Sequence, residues 1–330
     1  MTVFRNLTFV LTNSCNFKCK YCCRDYGKSF ILPSLTDEIK SFLSSLTSVD
    51  CDSVGISGGE PLLCFDKVKE LFSSVPSGIH KKVMTNGYFL TQEVVDYFNA
   101  NDIEVHFSHD GKATKFLRGV DVLDTSLFCQ LVSSIKNLHV FCVVTNRNPD
   151  VWENYFYTSY LLNRDFFEYD SFPISDNDSQ SDLVCNFDYD VWLRSYMEFL
   201  VSPFNFKYPW RSHFTVSANE GINRPAGFML LADGTICGCL DVSANFGNIL
   251  DNPSWDDLAL RLFGSHKLDY CLHSDCQFHS FCRVSTQCAT PHICKCRRLL
   301  YSARLSTDIP KFKMKVRSQL PEIILRYSQV

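Results

Sequence analysis

The run Phe4-Arg5-Asn6-Leu7-Thr8-Phe9-Val10-Leu11, then Thr12-Asn13-Ser14, then Cys15-Asn16-Phe17-Lys18-Cys19-Lys20-Tyr21-Cys22, decides how the rest of the chain is read. Its first part is β-rich and stops at small polar residues, which predicts a strand ending in a loop. Its second part sets three cysteines in that loop at C-x3-C-x2-C spacing, with an aromatic residue, Tyr21, before the third. Three closely spaced thiolates on one loop can wrap one face of a cubane iron–sulfur cluster and leave one iron open to a non-protein ligand. Structural zinc normally takes four protein ligands, and Cys23, adjacent to Cys22, is poorly placed to close a tetrahedron. Zinc, or cysteines without a metal, is the alternative reading of the same residues.

Beyond this loop the cysteines remain unevenly spread. The 330 residues hold 17 of them, and eight fall between Cys237 and Cys296. The start of the chain lacks a signal peptide's basic head and apolar stretch, so a cytoplasmic location is expected, where disulfides are rare. Metal binding, catalysis or burial then has to account for the thiols. Cys51 and Cys142 lie in apolar, strand-like runs and read as small buried hydrophobes, Cys64 reads as structural, and Cys129 and Cys185 follow no pattern. Hydrophobic residues make up 45% and charged residues 21%, enough for a packed core and against disorder. The net charge of −4 offers no basic field for nucleic acid or an anionic membrane. No apolar run reaches the roughly 18 residues that suggest a bilayer span.

Residues 4–174 alternate strand and helix signals. Strands are expected at 4–11, 53–57, 82–85, 103–107, 138–145 and 166–174. Helices are expected from Asp37, from about Phe65, after the Thr91 cap, near 123–135 and at 151–162. About six βα units argue for an α/β fold with a parallel sheet covered by helices, open or closed into a barrel. In such folds the chemistry gathers at the C-terminal ends of the strands. Residues 176–183 are polar and read as a loop or linker, and a helix near 189–200 bridges to a second module starting near 210. The expected division is 1–175, 176–209 and 210–330.

The cysteine loop resembles the signature of radical S-adenosylmethionine (radical SAM) enzymes, and the resemblance continues in order along the chain. Gly58-Gly59-Glu60-Pro61 looks like that family's GGE loop, and Thr85-Asn86-Gly87 like its TNG strand end. Ser108-His109-Asp110-Gly111 resembles its S-x-D-G strand end, with Arg118-Gly119 after it, and Val144-Thr145-Asn146 fits the end of the fifth strand. The resemblance implies a partial (β/α)6 TIM-like barrel over residues 4–174. It also implies a [4Fe–4S] cluster on Cys15, Cys19 and Cys22, with SAM chelated at the open iron. Glu60 would hold the SAM ammonium by a charge-assisted hydrogen bond, and Gly58 and Gly59 would allow close backbone approach. Tyr21, Thr85, Asn86, Ser108, Arg118 and Asn146 are further candidates to contact SAM. Asp110 is a candidate acid/base group or a turn former before Gly111, and His109 reads as a loop residue.

The second cysteine group begins at Phe228-Met229-Leu230-Leu231-Ala232-Asp233-Gly234-Thr235-Ile236-Cys237-Gly238-Cys239, which reads as a hairpin with an Asp-Gly turn. With Phe246-Gly247-Asn248-Ile249 and Trp255 it resembles the SPASM or twitch extension of radical SAM proteins, a small Cys-rich α+β domain that binds auxiliary [4Fe–4S] clusters. That resemblance implies one site on Cys271, Cys276, Cys282 and one of Cys294 or Cys296. A second site would use Cys239 and Cys288, with Cys237 a candidate third ligand and the remaining position supplied by Cys294 or Cys296, left open for substrate, or absent. The spacing departs from the family run: His273 stands where a Cys is expected, and residues 219–225 hold none of the expected upstream cysteine. One or two auxiliary clusters are therefore expected. A zinc module remains the alternative, since His273, His279 and His292 also suit zinc.

The implied function is oxidative modification of a ribosomally made peptide or protein, such as a crosslink or an epimerisation, by a 5′-deoxyadenosyl radical. An external electron donor of flavodoxin or ferredoxin type is an expected partner. Because the first strand starts near residue 4, leader recognition is expected to need a separate leader-peptide-binding protein, the C-terminal tail, or no such step. A dehydrogenase acting on a small molecule such as a sugar or cofactor precursor is the alternative enzyme. A noncatalytic iron–sulfur scaffold is the alternative outside enzymes. In the tail, Lys311, Lys313, Lys315 and Arg317 precede Leu320, Ile323 and Ile324, a pattern for a solvated amphipathic helix or a docking element.

Overall fold

Alternating apolar runs and capped helix starts build the first six βα units much as their patterns require. The computed structural model describes residues 4–22, 35–48, 51–174, 181–205, 227–237, 245–253 and 291–327. The elements are β1 (Phe4–Thr12), α1 (Asp37–Ser45), β2 (Cys51–Gly58), α2 (Phe65–Ser74), β3 (His80–Thr85), α3 (Gln92–Ala100) and β4 (Glu104–Ser108). They continue with α4 (Thr114–Arg118), α5 (Ser126–Ser133), β5 (Leu138–Val144), α6 (Val151–Leu162), β6 (Glu168–Pro173), α7 (Ser181–Val184) and α8 (Tyr189–Val201). Three short strands follow, β7 (Gly227–Leu230), β8 (Thr235–Cys237) and β9 (Asn245–Asn248), and then helices Pro291–Ser306 and Ile309–Tyr327. Packing divides the chain into two units, residues 1–16, 23–106 and 218–289, and residues 17–22, 107–217 and 290–330.

In the first unit the strand order is β4-β3-β2-β1-β7-β8-β9. Strand β1 pairs in parallel with β2, setting Leu7 beside Val54 and Phe9 beside Ile56, and β2 pairs in parallel with β3. Leu7, Phe9, Val10 and Leu11 are all essentially buried, the signature of a parallel strand covered on both faces. The helices bring Ile39 and Leu43, then Val68, Leu71 and Phe72, then Val94, Val95 and Phe98. The starts of α1 and α3 are fixed locally: Thr36 Oγ1 accepts from the Ile39 amide, and Thr91 Oγ1 from the Val94 amide. The hairpin turns at Gly234, whose φ of 83° suits a residue without Cβ. Strand β7 also pairs in parallel with β1, Phe9 beside Leu230, so the hairpin prolongs the sheet that β1 begins. Nothing in the hairpin's own residues names this partner, because strand pairing at long range leaves no local mark.

The second unit is held by aromatic rings. In it β5 and β6 pair in parallel. Tyr155 of α6 lies 4.9 Å from the Phe167 ring and 5.1 Å from Phe199 of α8, while Trp152 lies 5.2 Å from Phe199 and 5.9 Å from Phe204. Helix α6 is buried on several sides, which is why its sequence shows little one-faced periodicity. Asp150 caps it, its Oδ1 accepting from the Trp152 and Glu153 amides. The last helix begins earlier than its apolar spacing suggests and buries Val316 and Ile323, while Ile324 is exposed. Tyr327 closes this stripe, stacking on Phe156 and donating its hydroxyl to Asp150 Oδ2 at 2.7 Å. The tail is thus an amphipathic helix, packed along one stripe and exposed over the rest of its surface, as its pattern implies.

Candidate active site

In the first unit the site is built where β1, β2 and β3 end. The Gly59 amide donates to the Thr12 carbonyl at 2.7 Å and the Glu60 amide to the Ser14 carbonyl at 2.9 Å, which ties the exit of β2 to the residues just before Cys15. A Cβ on Gly58 would stand 2.2 Å from the Thr12 oxygen, and one on Gly59 would stand 2.0 Å from the Ser14 oxygen. The two glycines are therefore required by the approach of one backbone to another within the protein. The close backbone approach expected of these glycines is met within the protein, by Thr12 and Ser14, which the sequence does not name as the partners. No local pattern marks such an approach.

Glu60 is fully buried. Its Oε1 accepts from Thr85 Oγ1 at 2.8 Å and the Leu62 amide at 3.0 Å, and its Oε2 accepts from the Asn86 amide at 2.8 Å. Burial pushes its pKa up to about 7, while the three donors work against the rise. Asn86 also donates through Nδ2 to Asn16 Oδ1 at 2.8 Å, and that nitrogen lies 3.8 Å from Cys15 Sγ. The Glu60 carboxylate and the cysteine loop are thus linked through one asparagine.

In the second unit the Tyr21 hydroxyl donates to Asp110 Oδ2 at 2.7 Å. Arg118 forks the same carboxylate, Nε to Oδ2 at 2.7 Å and Nη2 to Oδ1 at 3.0 Å, and the Val143 amide donates to Oδ1 at 2.9 Å. Burial is the largest influence on the Arg118 charge and opposes it, yet Asp110, Tyr21 and Cys19 together raise the guanidinium pKa further. Burial also raises the Tyr21 hydroxyl, with the Arg118 charge pulling the other way. Asn148, unmarked in the sequence, knits the strand ends: its Oδ1 accepts from Thr145, and its Nδ2 donates to the carbonyls of Asp110 and Val143. Asn146 donates through Nδ2 to the carbonyls of Asp182 and Cys185. Ser108 ends β4, half-buried. His109 is fully buried, with Nδ1 2.8 Å from Thr158 Oγ1 and Nε2 3.4 Å from Asp121 Oδ2.

The donor set suits an open-site [4Fe–4S] cluster with SAM. Cys15, Cys19 and Cys22 are half-buried thiols outside any disulfide. Glu60 is a buried acid whose ionised form calls for a cation, which an ammonium group supplies. The buried Oδ1 of Asn146 accepts no hydrogen bond among the described residues, so it is open to a hydroxyl donor. Other thiols are spoken for by the fold. Those of Cys64 and Cys129 donate to the carbonyls of Pro61 and Leu123, and burial pushes Cys142 far above the ordinary thiol range. Among the second cysteine group, Cys237 is buried on β8 and Cys294 is half-buried. Cys296 is buried with its Sγ 3.8 Å from His292 Nε2. Cys239, Cys271, Cys276, Cys282 and Cys288 lie outside the described residues, as do Cys23, Trp255, His273 and His279.

The sequence model of the Radical SAM superfamily matches residues 9–118. A GTP 3′,8-cyclase of Vibrio parahaemolyticus is 33% identical over 143 residues, 40% of this chain and 38% of that protein. The mycofactocin maturase MftC of Mycolicibacterium smegmatis is 28% identical over 156 residues, 44% of this chain and 38% of that one. The chain thus spans between a third and two fifths of the length of these curated relatives. The structure of native anSMEcpe with bound AdoMet and Cp18Cys peptide shares the fold over 95% of this chain and 99% of its own, at TM-score 0.65 and 19% identity. Streptococcus suis SuiB bound to S-adenosylmethionine shares it over 85% and 72%, at TM-score 0.60 and 15% identity. No helix among the described residues is long and apolar enough to cross a membrane. The chain carries a radical SAM superfamily domain, built on the segment 9–118 that holds the cysteine loop, Glu60, Asn86 and Asp110.

Proposed function

We propose that this chain is a radical SAM enzyme that abstracts hydrogen from a peptide or protein and leaves an oxidative modification. The observation that carries the chemistry is Glu60, a buried carboxylate fixed by Leu62, Thr85 and Asn86 and joined through Asn86 to Cys15. Glu60 would take the SAM ammonium, and the unpartnered Oδ1 supports Asn146 as acceptor of a SAM hydroxyl. Cys15, Cys19 and Cys22 would hold a [4Fe–4S] cluster, which would supply the electron for reductive cleavage of SAM to methionine and a 5′-deoxyadenosyl radical. Glu60 itself is wholly buried, out of reach of bulk water. The peptide assignment is supported by a fold that runs nearly the whole length of anSMEcpe, a protein solved with a bound peptide. Cys237, Cys239, Cys271, Cys276, Cys282, Cys288, Cys294 and Cys296 are the proposed ligands of one or two auxiliary clusters, which would accept the electron left after hydrogen abstraction. A flavodoxin or ferredoxin is the proposed donor to the first cluster.

The test is anaerobic incubation with SAM and dithionite. Formation of 5′-deoxyadenosine, lost in Cys19→Ala, supports the radical SAM reading. Its absence in a chain with its clusters intact sinks that reading in favour of a scaffold. A mass change on a short peptide encoded beside this gene supports the maturase. A second reading, a small-molecule enzyme, is favoured by the GTP 3′,8-cyclase matches. Turnover of a nucleotide or sugar, with no change in any peptide, would decide for it.

A further inference from the structure

Asp110 is wholly buried, and each of its carboxylate oxygens already accepts two hydrogen bonds, from Tyr21, Val143 and both sides of the Arg118 fork. An ionised carboxylate offers about four lone-pair sites. No site is left to receive a proton from a substrate. The geometry joins Asp110 instead to the segment that bears Cys19 and Cys22, because Tyr21 stands between them in sequence.

The same segment is racked on α4 at two more points. The Lys20 amide donates to the Leu117 carbonyl at 2.8 Å, and the Lys20 ammonium sits 3.8 Å over the Phe116 ring. Arg118, the last residue of α4, lies with its guanidinium 5.3 Å from the centre of the Tyr21 ring while it forks Asp110. Asp110 is itself clasped: its amide donates to Thr114 Oγ1, and its carbonyl accepts from Asn148. Every group in this chain of contacts is held by another, and the free end of the chain is the Tyr21 rung of the cysteine loop.

We propose that Asp110 is a positioning residue that, together with Arg118, locks Tyr21 and so presets the segment carrying Cys19 and Cys22 for its cluster, and that it takes no part in proton transfer with substrate. This rests on the radical SAM reading of the loop and not on the identity of the substrate.

The test uses the full chain, reconstituted anaerobically with iron and sulfide, as wild type, Tyr21→Phe, Asp110→Asn and the double variant. The readout is the rate at which an iron chelator removes the EPR signal that SAM perturbs, with circular dichroism to follow the fold. Tyr21→Phe keeps the ring and loses one hydrogen bond, so the signal should disappear about fivefold faster. Asp110→Asn should lose it faster still. The double variant should match Asp110→Asn alone, because Tyr21 acts through Asp110. A wild-type chelation rate in Tyr21→Phe overturns the proposal even where Asp110→Asn fails to fold. So does an Asp110→Asn protein that keeps its cluster, cleaves SAM at the wild-type rate without substrate, and forms no product. A wild-type protein with no SAM-perturbed signal overturns the radical SAM reading, and the proposal with it.

Discussion

At the scale of single residues, two glycines and one glutamate set what the first unit can do. Gly59→Ala puts a methyl group onto the Ser14 carbonyl, which is backbone and cannot rotate away. The variant should be destabilised by about 1–3 kcal/mol and should retain less iron after reconstitution. Urea unfolding together with an iron assay checks both. Glu60 makes a prediction about pH. Its folded pKa of about 7 is above its ordinary value, so the folded chain holds a proton that the unfolded chain releases. That contribution to stability is full at acid pH and is lost as pH rises through about 7, a cost of roughly 3 kcal/mol to the empty fold. A bound ammonium needs the ionised form, so SAM affinity should move the opposite way. It should weaken about tenfold per unit as pH falls below about 7, and calorimetric titration should find this slope flattened in Glu60→Gln. The motif around Glu60 is visible in sequence. The contact of Gly58 and Gly59 with Thr12 and Ser14 is not, because a steric approach between residues more than forty positions apart leaves no periodicity.

At the scale of elements, the sequence pattern finds the six strands of the first half and most of the helices, and it finds them for a physical reason. Parallel strands buried on both faces are short apolar runs, and polar caps such as Thr91 and Asp150 punctuate them. Boundaries move by a residue or two. The expected helix near 123–135 is interrupted at Thr125 and becomes a 3-10 turn, Val122–Asp124, followed by α5. The last helix was harder to read. Its buried face is set by Val316, Ile323 and the ring of Tyr327, which the spacing of Leu320, Ile323 and Ile324 conceals. Asp150 serves two elements at once, capping α6 and accepting from Tyr327. Asp150→Ala should therefore cost about 2 kcal/mol, and Tyr327→Phe about 1 kcal/mol. The two losses should not add in a denaturation cycle, since they share one carboxylate.

At the scale of the whole molecule, the fold is continuous with that of anSMEcpe and SuiB, while sequence identity with curated relatives is confined to less than half of the chain. Such a division is expected where one segment binds a common cofactor and the rest meets different substrates. The cysteine count becomes a measurable quantity at this scale. One cluster on the first loop gives about four irons per chain, and two more on the second cysteine group give about twelve. Iron and acid-labile sulfide assays on anaerobically purified protein, with Cys276→Ala as the control, should give the higher figure and a drop of about four in the variant. About four irons in the unmutated chain would remove the auxiliary clusters from the proposal.

The parallel pairing of β7 with β1 has a practical result for anyone who would trim the protein to its first six βα units. Strand β1 is apolar on both faces, and β7 covers its outer edge from Asn6 to Phe9. A chain ended at Asn205 would leave that row of amides and carbonyls open beside Leu7 and Phe9, a template onto which a second copy can add its own strand. Such a fragment should come out of cells as aggregate and self-associate on refolding. Replacing Leu7 with lysine in the fragment, to charge the bare strand, should not recover a monomer with an intact core. The cysteine-rich segment is, in this sense, the cap that keeps the barrel's first strand from polymerising.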